Sequence, residues 1–433
     1  MRRTLLTLAL AAVAATAGAQ SIRVWQGGES TRYAMSEASV YTYDDAGQTL
    51  TIGTKAYSVA EIDSITVVNP VTITWNGNTA AVNIPASVTG VTATVTAGNV
   101  VITNTNVWEE QEFVLSGTGT AGSLTYNGAY KCKFTLNGLN LTSTAGAAID
   151  IQCGKRIDLI LADGTTNSLT DAAGGTQKAA FNCQGHMEVS GSGSLTVAGN
   201  TAHAIRTNEY LLLKKSTGTI AVTKAASDGI HVGEFFQMNG GTVTISGTTK
   251  DGLQVETDDE SDEELNGQLI INDGTLTVRV ENEDVKAIRL DAAETNTAIV
   301  PEMSILGGTV TVVVASTADG SRGIASDGNI TIGNGKANAP VVDVTVSAGI
   351  FTDPDTDEDN RATGIKADNT LLIAGGVTTV AANGTKSRGV RAATLRATAG
   401  TLTVTRNSSS QGIKLDNQIV VEGGTVNSDN IKY

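Results

Sequence analysis

Short runs of alternating apolar and polar residues return along the chain at a regular interval. The most regular run is a Gly-Gly-Thr-Val-Thr-Val phrase. It occurs as GSGSLTV (191–197), STGTIAV (216–222), NGGTVTI (239–245), NDGTLTV (272–278), LGGTVTV (306–312), AGGVTTV (374–380), AGTLTV (399–404) and EGGTVNS (422–428). Strict alternation of this kind predicts a β-strand with one buried face.

Two further runs separate successive copies of this phrase. One reads Gly-Ile-x-Ala, as in DGIHVG (228–233) and TGIKAD (363–368), and the other is a Leu-x-Ile run. The base period is 23 to 25 residues, with longer spacings where insertions occur. A unit this short cannot bury its own apolar face, so it must stack on its neighbours. Three strands per unit without helical periodicity predict an all-β fold, a single-stranded parallel β-helix, and strand handedness favours a right-handed coil.

The stacked units predict continuous inward columns. One column is Val243, Leu276, Val310, Leu402 and Val426. A second is Ile205, Ile230, Leu253, Ile288, Ile324, Ile365, Val390 and Ile413. The residue after each member of the second column should then point outward, which gives the ladder Arg206, His231, Gln254, Arg289, Ala325, Lys366, Arg391 and Lys414.

The N-terminal quarter does not follow the repeat. Residues 1–19 predict a signal peptide, with Arg2 and Arg3 before an apolar stretch and a small-residue cleavage site, so we expect an exported protein. We assign residues 20–69 to a β-hairpin region, 70–107 to a small β subdomain and 108–433 to the β-helix. No later segment reaches 18 apolar residues, so no membrane insertion is expected.

Charge and cysteine content narrow the classes of function. The formal net charge is −15, and it becomes −17 without the two arginines of the signal peptide. This acidity argues against nucleic acid and anionic membranes as partners. Cys132, Cys153 and Cys183 lie in strand-like runs without zinc-like spacing, and we interpret them as buried thiols.

Carboxylates accumulate on the central units. Asp228 and Asp251 occupy equivalent positions, and Glu256, Asp258 and Asp259 begin the acidic insertion TDDESDEELNG (257–267). Like charges on adjacent coils repel, and cations here look scarce if His231 is neutral. Several oxygen ligands on stacked turns favour Ca²⁺, and an uncompensated solvated acidic face is the alternative. The C-terminal units should instead pair Lys366 with Asp368 and Lys414 with Asp416, as Arg289 should pair with Asp291.

Several motifs together resemble a known family. They are FTLNGLNLTS (134–143), AAIDIQC (147–153), IDLILADGTTNSLTD (157–171), the Asp-Gly-Ile repeats and Asn-Gly-Gly-Thr-Val-Thr-Ile. The set is similar to the calcium-containing carbohydrate-binding β-helix family, whose fold is similar to that of pectate lyases. The resemblance implies a right-handed β-helix, bound calcium and affinity for plant cell-wall polysaccharides. The N-terminal 90 residues look like leader regions of exported proteins from gut-type Gram-negative bacteria, which leaves the periplasm, cell surface and medium open.

These observations predict a monomeric, non-catalytic protein that binds cellulose or an acidic glycan with the help of Ca²⁺. The expected sugar contacts are His231, Phe235, Gln254 and Arg289. Phe235 should face outward because Phe236 and Met238 face inward, although a structural corner aromatic is equally compatible with the pattern. A calcium-dependent polysaccharide lyase is one alternative, disfavoured because an acidic surface should raise the pKa of a lysine base. A surface adhesin or purely structural solenoid is another.

Overall fold

The computed structural model describes residues 21–27, 29–34, 41–335, 339–354 and 359–433, so the predicted signal peptide lies outside the described residues. Within these ranges the chain forms 41 β-strands and one 3₁₀ helix, Val59–Glu61. No helix in the described residues is long and apolar enough to cross a membrane.

The N-terminal region consists of two small antiparallel sheets. The first contains β1 (Ser21–Gln26), β2 (Glu29–Ala34) and β6 (Ser64–Val68), and the second contains β3 (Tyr41–Asp44), β4 (Thr49–Ile52) and β5 (Lys55–Ser58). Their buried residues, including Leu50, Ile52 and Tyr57, form a small core of their own.

Residues 71–104 belong to the β-helix rather than to a separate subdomain, which corrects the predicted boundary near residue 108. The strands are β7 (Val71–Gly77), β8 (Thr79–Asn83), β9 (Val91–Thr96) and β10 (Gly98–Asn104). Strand β7 pairs in parallel with β11 (Gln111–Gly119), and β10 pairs in parallel with β12 (Gly122–Gly128). The hairpin β7–β8 turns at Gly77, which has a φ of +63°. The antiparallel strands β8 and β9 therefore close the first coil.

The remaining strands stack into three faces, and the strands within each face run parallel to one another. Face 1 holds the Thr-Val runs, as β16 (Thr166–Thr170), β19 (Ser194–Gly199), β22 (Thr219–Ala225), β25 (Thr242–Ile245), β28 (Thr275–Val280), β31 (Thr309–Val314), β34 (Val341–Val346) and β40 (Thr425–Ser428). Face 2 holds the Gly-Ile runs, as β14 (Ile149–Gln152), β17 (Ala179–Cys183), β20 (His203–Thr207), β23 (Ile230–Val232), β26 (Leu253–Val255), β29 (Lys286–Leu290), β32 (Arg322–Ser326) and β41 (Ile431–Lys432). Face 3 holds the Leu-x-Ile runs, as β15 (Ile157–Leu161), β18 (Met187–Ser190), β21 (Leu211–Leu213), β24 (Phe235–Met238), β27 (Gln268–Ile271), β30 (Glu302–Ile305) and β33 (Asn329–Ile332).

Some strands bend around the corners and belong to more than one face. They are β11, β13 (Cys132–Thr142), β37 (Thr363–Ala382), β38 (Arg388–Arg406) and β39 (Gln411–Val421). A short hairpin, β35 (Ile350–Thr352) with β36 (Asp359–Arg361), projects from one corner. Together the faces confirm the predicted parallel β-helix.

One continuous core runs along the helix axis. The second predicted column is paired residue by residue from Ile205 to Ile413, and all its members are buried. The first column is also continuous, but Thr378 occupies one of its positions, fully buried, with a hydroxyl that has no hydrogen-bond partner. Burial of each apolar side chain contributes roughly 1.5–3 kcal/mol. The three cysteines are free and buried, as interpreted from the sequence.

Candidate functional site

A cleft of about 620 Å³ lies on the outer side of face 2, over its central coils. The acidic insertion after β26 and the loop after β29 line it, together with the outward ladder of four neighbouring strands. The lining residues are Arg206, Thr207, Asn208, His231, Gly233, Gln254, Glu256, Thr257, Asp258, Asp259, Glu260, Arg289, Asp291, Ala292, Glu294 and Asp327. Of the residues predicted to contact sugar, His231, Gln254 and Arg289 line this cleft.

The floor of the cleft is a hydrogen-bonded ladder. Arg206, His231, Gln254 and Arg289 follow one another in register on adjacent strands. The Gln254 amide donates to Asp291 at 2.8 Å and to Glu256 at 3.3 Å. Because the ladder consists of hydrogen-bonding groups in a cleft open to solvent, it can exchange hydrogen bonds with a polar ligand.

Asp228 lies beneath this floor and is 3 % exposed. Its Oδ1 accepts the backbone N–H of Asp251 at 2.9 Å. Its Oδ2 lies 3.1 Å from His203 Nδ1 and 3.3 Å from His231 Nδ1, and the two imidazole rings face each other at 4.4 Å. Each oxygen of Asp228 therefore has one hydrogen-bond partner in the protein, the Asp251 N–H at Oδ1 and His231 at Oδ2.

Protonation within this cluster differs from the expectation. Burial alone would lower the pKa of His231, but contacts with Asp228 and Glu256 outweigh it and raise the pKa to about 9. Burial lowers the pKa of His203. Burial would raise the pKa of Asp228, yet its two histidine neighbours lower it overall. His231 is thus the charged partner of Asp228 at neutral pH, which corrects the assumption that it is neutral.

Asp251 is also satisfied within the protein. Its Oδ1 accepts the backbone N–H of Lys286 at 2.7 Å, and its Oδ2 accepts Arg289 Nη1 at 2.9 Å. Arg289 also pairs with Asp291, as predicted. The local supply of cations is therefore larger than the sequence suggested, because Arg289 bridges two coils.

The three remaining predicted calcium ligands lie at the cleft wall. Glu256 is half exposed and lies 3.4 Å from His231 Nε2. Asp258 Oδ1 accepts two backbone N–H groups of its own loop, from Glu260 and Ser261. Asp259 Oδ1 accepts the N–H groups of Thr295 and Asn296, which ties the two loops together.

These contacts decide how well the predicted ligands fit calcium. Asp228 and Asp251 do not fit a ready-made Ca²⁺ site, because protein donors already occupy their oxygens. Within the described ranges, only two groups of His and carboxylate side chains converge tightly enough for one ion, and Glu256, Asp258 and Asp259 form neither of them. The wall carboxylates could hold Ca²⁺ only with ligands from water or a bound sugar.

Phe235 lies outside the core, as the alternation predicts, but its ring is not open. Tyr210 stacks on it with ring centroids 4.5 Å apart, and Phe235 is only 5 % exposed. This corrects the expectation of a free aromatic platform. The cause is the corner geometry, which stacks equivalent residues of adjacent coils on each other.

Ion pairs of the C-terminal coils follow the prediction in part. Lys366 pairs with Asp368 at 2.6 Å. Asp416 does not pair with Lys414 but lies 3.7 Å from Arg391 on the preceding coil. A charged residue can pair either along its own strand or with a residue of the next coil, and the sequence pattern does not show which pair forms.

Four residues that could bind a metal ion were not predicted as site residues from the sequence: His186, His203, Glu209 and Glu234. His186, Glu209 and Glu234 form one of the two converging groups, and the other is His203, Asp228 and His231. The histidines are dispersed in sequence, so only the coil register brings each one to its carboxylates. Alignment of successive coils in register was the one way to predict from the sequence that these residues lie together.

The fold and cleft define a class: a parallel β-helix with a polar, acid-rich lateral cleft. Residues 90–353 match the family of carbohydrate-binding domain-containing proteins, and the chain belongs to that family. Among solved structures, it is similar to a polysaccharide lyase-like protein from C. thermocellum, solved as a gadolinium derivative. That likeness has 23 % identity and a TM-score of 0.49, and covers 63 % of this chain and 99 % of the other. No curated protein gave a significant match.

Proposed function

We propose that this protein binds a polysaccharide in the cleft on face 2 without cleaving it, and that Ca²⁺ assists the binding. The observation that supports this proposal is the cleft itself, an open polar channel over four coils of a carbohydrate-binding family member. Guanidinium, amide and carboxylate groups there match the hydroxyls of a sugar chain. The proposal includes export through the signal peptide at residues 1–19.

Calcium would act at the acidic wall rather than beneath the floor. Glu256, Asp258 and Asp259 would hold it, because Asp228 and Asp251 are already occupied by protein donors. The bound ion would neutralise local negative charge and accept hydroxyl or uronate oxygens of the glycan. An acidic glycan needs such a bridge because carboxylates outnumber cationic groups in the cleft lining.

A neutral glycan such as cellulose is the second candidate ligand. The observation that favours it is that the wall carboxylates do not converge on one point within the described residues. Separate carboxylates can each accept a hydrogen bond from a sugar hydroxyl without a metal. Whether binding requires Ca²⁺ therefore distinguishes an acidic glycan from a neutral one.

The cleft geometry supports binding over lyase chemistry. Burial lowers the pKa of Lys286, so the expectation that the acidic surface raises the pKa of a lysine base is wrong for this residue. However, Lys286 is not among the cleft-lining residues. Arg289 does line the cleft, but it is engaged by Asp251 and Asp291. Arg206, the other arginine of the lining, donates to Asn208. A guanidinium stays protonated in proteins, so neither arginine offers a base to remove a uronate proton.

Affinity electrophoresis tests the proposal. The full chain is run in gels with polygalacturonate or soluble cellulose derivatives, with Ca²⁺ or with chelator. We expect retardation, and for polygalacturonate we expect it to disappear with chelator and in Glu256→Gln. Asp368→Asn, a charge-matched change on the C-terminal coils, should behave as wild type. Absence of retardation on every glycan would favour the adhesin alternative.

A continuous absorbance assay for unsaturated uronate products tests the non-catalytic part. Incubation with polygalacturonate and Ca²⁺ should leave the absorbance flat over many hours. Steady product formation that scales with protein concentration would establish the lyase instead.

A further inference from the structure

The corner between faces 2 and 3 carries a second cluster of potential ligands. Glu209 and Glu234 occupy equivalent corner positions on adjacent coils, because Leu211 pairs with Phe236. His186 lies on the coil that precedes Glu209, and its ring is tilted against that of Tyr210 with centroids 4.4 Å apart. These residues lie outside the lining of the sugar cleft, so the cluster is a separate site.

The His186 imidazole is oriented by Glu209. Its Nε2 lies 2.9 Å from Glu209 Oε2, close enough for an N–H on Nε2 to donate to this carboxylate. Carboxylates that accept the distal N–H of a histidine commonly fix the tautomer of a metal ligand. The other nitrogen, Nδ1, then presents its lone pair away from Glu209.

Glu234 faces that lone pair. Its Oε2 lies 3.9 Å from His186 Nδ1, too far for a hydrogen bond. Both atoms are shielded from solvent, and neither has a hydrogen-bond partner among the described residues. Glu234 as a whole is 6 % exposed, and its other oxygen, Oε1, accepts the Ser261 hydroxyl at 2.6 Å. Two buried acceptors thus face each other across a gap with no donor between them.

A buried carboxylate oxygen opposite a nitrogen lone pair is costly unless a cation or a proton lies between them. The backbone supports the unusual position of Glu234, whose φ of +57° lies in the region that favours glycine. The carbonyl of Glu234 accepts the N–H of Gly267, which fixes this corner to the end of the acidic insertion. The corner therefore holds the carboxylate in place over the histidine.

We propose that His186 Nδ1 and Glu234 Oε2 bind a divalent transition-metal ion such as Zn²⁺, with Glu209 as the positioning residue for the imidazole. Zinc bonds to nitrogen and carboxylate oxygen are about 2.0–2.2 Å each, so one ion can span the 3.9 Å gap at a bent angle. The nitrogen ligand favours such an ion over Ca²⁺, which takes oxygen ligands. Water completes the coordination. This inference does not rest on glycan binding.

Isothermal titration calorimetry with zinc alone tests the proposal on the chelator-treated full chain. Wild type should bind Zn²⁺ stoichiometrically, and Glu234→Gln should have one site fewer. Glu209→Gln should keep the site with roughly 10- to 100-fold weaker affinity. Asp262→Asn removes an exposed charge from the same insertion and should change nothing. Because His203, Asp228 and His231 also converge, His203→Gln serves to assign any additional site.

An anomalous-scattering map from a zinc-soaked wild-type crystal keeps the proposal testable if a variant fails to fold. The expected peak lies between His186 Nδ1 and Glu234 Oε2. Zinc found only elsewhere, or equal stoichiometry and affinity in wild type and Glu234→Gln, would overturn the proposal. In that case His186 and the two glutamates are neighbours at this corner without a metal ion between them.

Discussion

The central coils, residues 203–291, and the C-terminal coils, residues 363–428, have the same interior and different exteriors. Both continue the same buried column on face 2. The C-terminal coils carry exposed ion pairs, such as Lys366 with Asp368, whose carboxylate is 44 % exposed. The central coils carry Asp228, almost fully buried between two histidines. The difference shows that inward positions specify the fold, while outward positions and insertions create the site.

Removal of the buried carboxylate should have the largest effect on stability. Asp228→Ala leaves His231 and the Asp251 N–H without their acceptor, and loss of a buried partner costs about 3–5 kcal/mol. Asp368→Ala, the matched change on the C-terminal coils, should cost at most about 1 kcal/mol because surface pairs contribute little. Urea denaturation followed by circular dichroism measures both. Equal losses of unfolding free energy in the two variants would contradict the difference between the central and the C-terminal coils.

The pH dependence of stability should also originate in the central coils. The pKa of His231 is raised to about 9 in the folded protein, against about 6.5 when unfolded. Its contribution is therefore complete below pH 6.5 and is lost as the pH rises through 9. We expect wild type to lose about 2–3 kcal/mol over this interval, since one pKa unit corresponds to about 1.4 kcal/mol.

His231→Gln provides the comparison for this titration, because it removes the titrating group but keeps polar atoms at the position. Its melting temperature should be nearly constant over the same pH interval. A variant that loses as much stability as wild type would place the titrating group elsewhere in the molecule.

The smallest predicted effect is a stabilisation in the C-terminal coils. Thr378 lies in the apolar column of face 1 with its hydroxyl buried and unpaired. Thr378→Val should raise the unfolding free energy by about 1 kcal/mol, because it removes an unsatisfied polar group at nearly constant volume. Thr379→Val, which changes the neighbouring outward residue, should have almost no effect. Destabilisation by Thr378→Val would mean that the hydroxyl has a partner.

Sequence periodicity was sufficient to predict the interior of this molecule. The column from Ile205 to Ile413 and the outward ladder containing His231 and Arg289 follow from the alternation alone. The boundary near residue 108 was misplaced. Strands β7 and β10 pair in parallel with β11 and β12, but the antiparallel strands β8 and β9 between them interrupt the pattern of the repeat.

The site was less predictable because its contacts cross between coils. The pairing of Arg289 with Asp251 joins residues 38 positions apart and depends on rotamers that a repeat pattern does not encode. The same holds for the stacking of Tyr210 on Phe235, which covers a ring that alternation placed outside. The positions of carboxylates were visible in the sequence, but their partners were not.

A cleft-blocking substitution tests the central claim most directly. Ala292 is exposed and lines the cleft, and only its backbone N–H is hydrogen-bonded there, to Asp327. Asn417 follows Asp416 as Ala292 follows Asp291. Glycan affinity electrophoresis is run on wild type, Ala292→Trp and Asn417→Trp with Ca²⁺ present. The account predicts that Ala292→Trp abolishes retardation while Asn417→Trp is retarded like wild type. Undiminished retardation of a folded Ala292→Trp protein would contradict binding in this cleft.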